Sequence, residues 1–341
     1  MAIGGGTGLS TLLNGLKRYV RLGDLNDTEA PVQITAVVTV TDDGGSSGRL
    51  RREFSVLPPG DIRNCMVALS GDETLMAKLF QYRFSSGRGL KGHSFGNLFL
   101  TALTHLTGDF AQAVSLSSEV LASLGRIYPS TSANVTLEAL LANGKRVIGE
   151  TRISRSRSRI QRVALKPGRC KPLPETLDAI ANADLITLGP GSLFTSVIPN
   201  LLVNGIPEAI MKSPAHKVYF SNLMWQPGET SQFSASDHVR ALYDHAKAEF
   251  LDSCVINTRP ISASLLRGYA AQDSRPVEND IDTLQEMGLK VIGADLLRRA
   301  VKARHDPSVA AAIAIELAQT SRRRRHMDAK SARKLRKSTK P

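Results

Sequence analysis

The feature that constrains this chain most is a rhythm: short apolar runs end at glycine or small polar residues, and most are followed by helical periodicity. Repeated strand–loop–helix units of this kind specify an α/β fold built on a parallel sheet with helices on both faces. The runs Met1–Ile3, Val32–Val40, Leu185–Leu188, Val218–Phe220, Val255–Ile256 and Val291–Ile292 read as its strands. Leu9–Tyr19 reads as a helix with Leu12, Leu13 and Leu16 on one face, and Asp61 is placed to cap another over Ile62–Leu69. The first run is short for a strand, which implies a natural start a few residues upstream.

Between Gly125 and Pro174 the character changes. Val135–Leu141, Arg146–Glu150 and Arg159–Leu165 read as short strands, with a hairpin turn at Asn143-Gly144. A small β-rich insertion over about residues 125–174 is expected within a domain spanning 1–320. Arg155, Arg157 and Arg159 alternate with serines and would share one face of a strand. Without interleaved aromatics that face reads as a solvated edge before it reads as a nucleic-acid patch.

The formal net charge of +13 suggests a polyanion partner until its distribution is read. Residues 321–341 hold ten Lys/Arg against one Asp, a net +9, which leaves only +4 on residues 1–320. That basic tail has little to bury and is expected to be disordered or loosely helical, binding nucleic acid weakly if at all. The 42% apolar and 5% aromatic content fits an aliphatic core. Cys65, Cys170 and Cys254 are scattered with no C-x-x-C pair, and no apolar stretch reaches the roughly 18 residues of a membrane span. A reducing, cytoplasmic setting is expected.

Three loops carry the chemistry. Gly4-Gly5-Gly6-Thr7-Gly8 lies between a strand and a helix, where bare backbone amides and the helix N-terminus favour an anion. A tight turn without ligand is the alternative. Neither a full dinucleotide fingerprint nor a Walker A loop is present: Leu9 stands where the third fingerprint glycine belongs. Asp42-Asp43-Gly44-Gly45-Ser46-Ser47-Gly48 couples two carboxylates to a flexible loop. They suit sugar hydroxyls, or Mg²⁺ shared with a diphosphate, if the segment is more than an Asp-Gly turn. Gly189-Pro190-Gly191-Ser192 repeats the strand–glycine theme. In a parallel sheet the carboxyl ends of all strands share one edge, so these loops should converge with Asn222 and Asn257. His93 and Asn97 are candidates to line the same place. No nucleophile–base pair and no His/Cys zinc cluster is evident from spacing.

Taken together, Gly4–Ser10, Thr41–Leu50, Leu57–Asn64, Gly92–Leu98, Gly189–Leu201 and Ser221–Thr230 resemble the gluconeogenesis factor (YvcK-like) family over residues 1–305. That family is a branch of the CofD-like superfamily, named for 2-phospho-L-lactate transferase. The resemblance implies a Rossmann-like core and a cytoplasmic regulator that binds UDP-sugars such as UDP-glucose and UDP-N-acetylglucosamine. It also implies support of cell shape and wall synthesis during gluconeogenic growth, through a protein partner. The ligand-binding set is then Gly5, Gly6, Thr7, Gly8, Asp42, Asp43, Gly44, Gly45, Ser46, Asn64, His93, Asn97, Gly189, Gly191, Ser192 and Asn222, with Arg304 near the C-terminus. Mg²⁺ would sit with Asp42 and Asp43, and homo-oligomers are compatible with this reading. The alternative is an Mg²⁺-dependent transferase of a nucleotide-activated phosphoryl group. The transferases' Gly-Asp-Arg-Asp tetrapeptide is missing here, Trp225 is unusual for the family, and Pro307 stands where a threonine would be open to phosphorylation.

Overall fold

The computed structural model describes residues 1–23, 32–71, 75–298 and 302–338. Ten strands occur among them: β1 (Ala2–Gly4), β2 (Thr35–Val38), β3 (Arg126–Pro129), β4 (Thr136–Leu141), β5 (Arg146–Ile148), β6 (Ile160–Lys166), β7 (Leu185–Leu188), β8 (His216–Phe220), β9 (Ser253–Asn257) and β10 (Lys290–Ala294). Seven form one sheet in the order β10-β9-β8-β7-β1-β2-β3, and every pairing in it is parallel. β1 and β7 are buried along their whole length. Such strands read as unbroken apolar runs because helices cover both faces of the sheet.

The chain lays down β1, β2 and β3 in one direction, then adds β7 on the free side of β1 and continues outward through β8, β9 and β10. The strand order therefore reverses at the β1/β7 pair, where crevices form beyond the carboxyl ends of an open α/β sheet. The register fixes this pair tightly: Ala2 faces Thr187 and Ile3 faces Leu188, while Ile3 faces Val37 on the other side.

The first helix, Gly6–Gly23, packs against the helix Gly60–Leu69 and against the C-terminal helix Pro307–Ser338. Gly15 permits the second crossing, since a Cβ there would overlap the Pro307 carbonyl and lie 2.8 Å from the Ala311 Cβ. No single helix among the described residues is long and apolar enough to cross a membrane.

Three sequence expectations need correction. β3 falls inside the interval read as an insertion, yet it pairs with β2 in the main sheet; the small antiparallel sheet is β5-β4-β6. Glu150 does not extend a strand but opens the short helix Glu150–Ser154, and Arg155–Ser158 form no strand. Arg159 instead lies over the Phe233 ring at 5.2 Å, a cation–π contact. Gly45–Gly48 are the first turn of the helix Gly45–Phe54 rather than a flexible loop. The basic tail, expected to be disordered or loosely helical, takes the helical alternative and continues the C-terminal helix as far as Ser338. No Gly or Pro interrupts residues 308–338, whose Ala, Arg, Lys and Leu are strong helix formers, and Arg325 pairs with Asp184 on the body.

Candidate functional site

The loop after β1 is built from close approaches. Gly6 adopts φ +60°, and a Cβ on Gly5 would stand 2.7 Å from Thr39 Cγ2 and 2.8 Å from Asp61 Oδ2. A Cβ on Gly8 would overlap the Pro190 carbonyl, which seats the first helix directly on the Gly189–Ser192 loop. Thr7 is exposed at the tip. The N–H groups of a first helical turn have no intrahelical acceptor, so this turn presents donors and a positive dipole end at the switch point.

The loops after β7 and β8 join it. A Cβ on Gly191 would lie 3.6 Å from the Gly5 carbonyl. Ser192 Oγ accepts from Gln226 Nε2 at 2.6 Å, and Asn222 Nδ2 donates to Gln226 Oε1 at 3.2 Å. His305 Nε2 donates to the Ser221 carbonyl at 3.0 Å; burial holds this imidazole at a pKa of about 4, hence neutral. The neighbouring Arg304 is exposed. Asn257 is used differently, as its side chain brackets Arg259 and the Leu296 N–H at the ends of β9 and β10.

On the β2 side the polar groups are engaged within the protein. Asp42 Oδ1 accepts from the Gly44 N–H at 2.8 Å. Asp43 Oδ1 accepts from the Thr151 N–H at 2.8 Å and from its hydroxyl at 2.6 Å. Gly44 is the N-cap of the helix that Gly45 opens at φ +45°. Ser46 Oγ is 2.9 Å from His93 Nδ1, and Asn97 Oδ1 accepts from Arg63 Nε at 3.3 Å. His93 and Asn97 are both buried. Asn64 faces a polar cleft of about 450 Å³ between the first helix and Gly60–Leu69, beside Ser10, Asn14 and Lys17. A larger hollow of about 790 Å³ near β3, lined by Tyr128, Arg169 and Lys171 among others, shares no residue with these loops.

Carboxylates that the sequence did not single out for the site form its floor. Asp61 accepts from the Gly6 N–H, and burial with the charge of Asp42 beside it raises its pKa to about 7. Burial also raises Asp42, and Glu150 well above the usual range, with Asp61 and Asp42 adding to the effect on Glu150. One Glu150 oxygen is buried without a partner. Glu229 is satisfied by the hydroxyls of Ser154 at 3.0 Å and Thr195 at 3.3 Å, tying the small sheet's helix to the main body. The signal for Asp61 and Glu229 was their place in Leu57–Asn64 and Ser221–Thr230, two of the segments carrying the family resemblance; Glu150 stands at the end of a segment that read as a strand.

The molecule is thus a doubly wound α/β protein whose glycine loops meet at the strand-order switch point. Residues 1–297 match the family described as 2-phospho-L-lactate transferase CofD, and the chain belongs to that family. It is 48% identical over 315 residues to the gluconeogenesis factor of Bacillus subtilis, covering 92% of this chain and 96% of that one. The gluconeogenesis factor of Halalkalibacterium halodurans is 48% identical over 292 residues, 86% of this chain and 87% of its own. A crystal structure of a Bacillus halodurans protein superimposes with a TM-score of 0.87 at 45% identity, covering 92% of this chain and 98% of that chain.

Proposed function

We propose that this chain is a cytoplasmic nucleotide-sugar-binding regulator, a gluconeogenesis factor that reads UDP-glucose or UDP-N-acetylglucosamine and conveys it to a protein partner in cell-wall synthesis and cell shape. The observation that carries this reading is the contact of Gly8 with the Pro190 carbonyl, which brings two glycine loops and a helix N-terminus to one crevice. In it the Gly6–Gly8 turn takes the diphosphate, Arg304 pairs with it from the rim, and the Ser192–Gln226–Asn222 network orients the nucleoside. Relatives named gluconeogenesis factor support the label.

Mg²⁺ bound through one or two carboxylates and ligand phosphates would suit this floor. Asp42 and Asp61 have the hard oxygen donors it requires, and no group of three acidic, His or Cys side chains poised for a metal occurs among the described residues. Asp43, tied to Thr151, is the poorer donor. Calorimetry with UDP-N-acetylglucosamine tests the reading. Binding weakened by Thr7→Ala and by Arg304→Glu is expected, and no heat up to millimolar ligand would refute it.

A second reading, an Mg²⁺-dependent transferase of a nucleotide-activated phosphoryl group, is favoured by one observation. Asp61, titrating near 7 beside the phosphate loop, is tuned for proton transfer at neutral pH. It requires Mg²⁺-dependent turnover of a nucleotide diphosphate compound that Asp42→Asn abolishes.

A further inference from the structure

Three arginines from three separate elements close on one loop. Arg49, on the helix Gly45–Phe54, donates to the Lys91 carbonyl at 2.9 Å. Arg83, which bridges to Ser94 just beyond the helix Leu75–Gln81, donates to the Gly92 carbonyl at 2.5 Å. Arg63, on the helix Gly60–Leu69, donates to the Asn97 side chain at 3.3 Å. The three guanidiniums therefore grip the seven-residue stretch Lys91–Asn97 with His93 at its centre. They sense one another: Arg83 adds to burial in lowering the pKa of Arg63, which Asp61 and Asp42 oppose, and Arg49 and Arg83 both act in that direction on His93, where Glu53 opposes them.

None of the three forms an ion pair with a carboxylate among the described residues. Each is instead held by a neutral oxygen, which fixes its position, and Arg63 also feels nearby carboxylates, Asp61 and Asp42. Neighbouring cations of this kind repel, and an anion placed among them relieves that repulsion. The guanidinium fork matches carboxylate and phosphate oxygens in particular.

Their place in the fold matters as much. Arg63 lines a cleft with Ser10 and Thr11 of the first helix and feels the charge of Asp61, whose carboxylate takes the Gly6 N–H, so the cluster abuts the phosphate loop. It does so from the β2 side, whereas Ser192, Gln226 and Asn222 approach from β7 and β8 on the other side of β1. A ligand whose nucleoside lies on the β7/β8 side and whose diphosphate crosses the glycine loop would direct its distal end toward these arginines.

We propose that Arg49, Arg63 and Arg83 form a second anion subsite that takes a carboxylate or phosphate group beyond the nucleotide diphosphate. That group is borne either by the sugar itself or by a second small ligand. Only its placement beyond a diphosphate rests on the nucleotide-sugar reading; the subsite itself is independently testable.

The experiment is calorimetry on the full chain with UDP-glucose, UDP-glucuronate, and inorganic phosphate with and without saturating UDP. If the sugar bears the anion, UDP-glucuronate binds about tenfold more tightly than UDP-glucose, the size of one added charge-assisted hydrogen bond. Arg49→Gln or Arg83→Gln then brings the ratio of the two affinities close to one, and the charge-keeping Arg83→Lys preserves part of it. If a second ligand bears the anion, that preference is missing, and inorganic phosphate binds in the presence of UDP and is lost in Arg83→Gln. Because the readout is a ratio within one variant, or phosphate binding rescued by Arg83→Lys, a folding defect does not imitate it. Absence of both a uronate preference and arginine-dependent phosphate binding would overturn the proposal. Failure of every UDP compound to bind would refute the nucleotide-sugar reading while the phosphate arm still decides the subsite.

Discussion

Two glycine-rich loops follow the neighbouring strands β1 and β2, and they spend their residues differently. In Gly4–Gly8 the glycines let Thr39, Asp61, Pro190 and Gly191 come close, and the Gly6 N–H is taken by Asp61. In Asp42–Gly48 the polar side chains turn inward: Asp43 holds Thr151, Asp42 holds Gly44, and Ser46 holds His93. On the proposed reading one loop receives the ligand, while the other fastens the small sheet and the His93 loop around it. Similar composition therefore does not mean similar duty.

The sharpest way to break this contrast is Gly8→Ala. Its Cβ meets rigid backbone at Pro190, so a loss of about 3 kcal/mol is expected in denaturant unfolding, with loss of nucleotide-sugar binding. Gly45→Ala should cost only about 1 kcal/mol, because nothing lies within 4 Å and only φ +45° is at stake. Equal costs would erase the distinction between the loops.

Next in size is a pH effect. Asp61 titrates at about 7 in the folded chain against an ordinary 3.8, so between those values the folded chain binds more protons than the unfolded one. Stability is therefore greatest at the acid end of that window and falls as pH rises toward 7. Asp61→Asn should flatten the decline and add about 2 kcal/mol at pH 8, read from unfolding midpoints across pH. An unchanged slope would mean that the floor is not held protonated by burial.

Smaller again is Asp43→Asn, which weakens two hydrogen bonds and should cost about 1–2 kcal/mol. Hydrogen exchange should accelerate in residues 149–154 rather than in 5–10. The reverse pattern would return Asp43 to the ligand side.

Much of the fold was legible because the signal was periodic. β7 matches the apolar run Leu185–Leu188 residue for residue, and β8, β9 and β10 enclose the runs read as strands. β3 was not, since Arg126–Pro129 is a short edge strand containing a proline and an exposed arginine, compatible only with its place beside β2. The loops that meet at the switch point followed from strand polarity alone. Their floor did not, because Asp61, Glu150 and Glu229 converge from segments distant in the chain, a relation that no local pattern carries. The basic tail left disorder and helix both open for a related reason: it lacks an apolar face, yet it continues a helix already nucleated on the core through Ala310, Ala311 and Ala314.

The most direct measurement for the central claim is a crystal structure of the full chain with UDP-N-acetylglucosamine. The expected result is a diphosphate on the N–H groups of Thr7 and Gly8, with the nucleoside beside Ser192 and Asn222. A diphosphate seated instead against Asp43 and the Glu150–Ser154 helix, with the Gly4–Gly8 turn untouched, would contradict it.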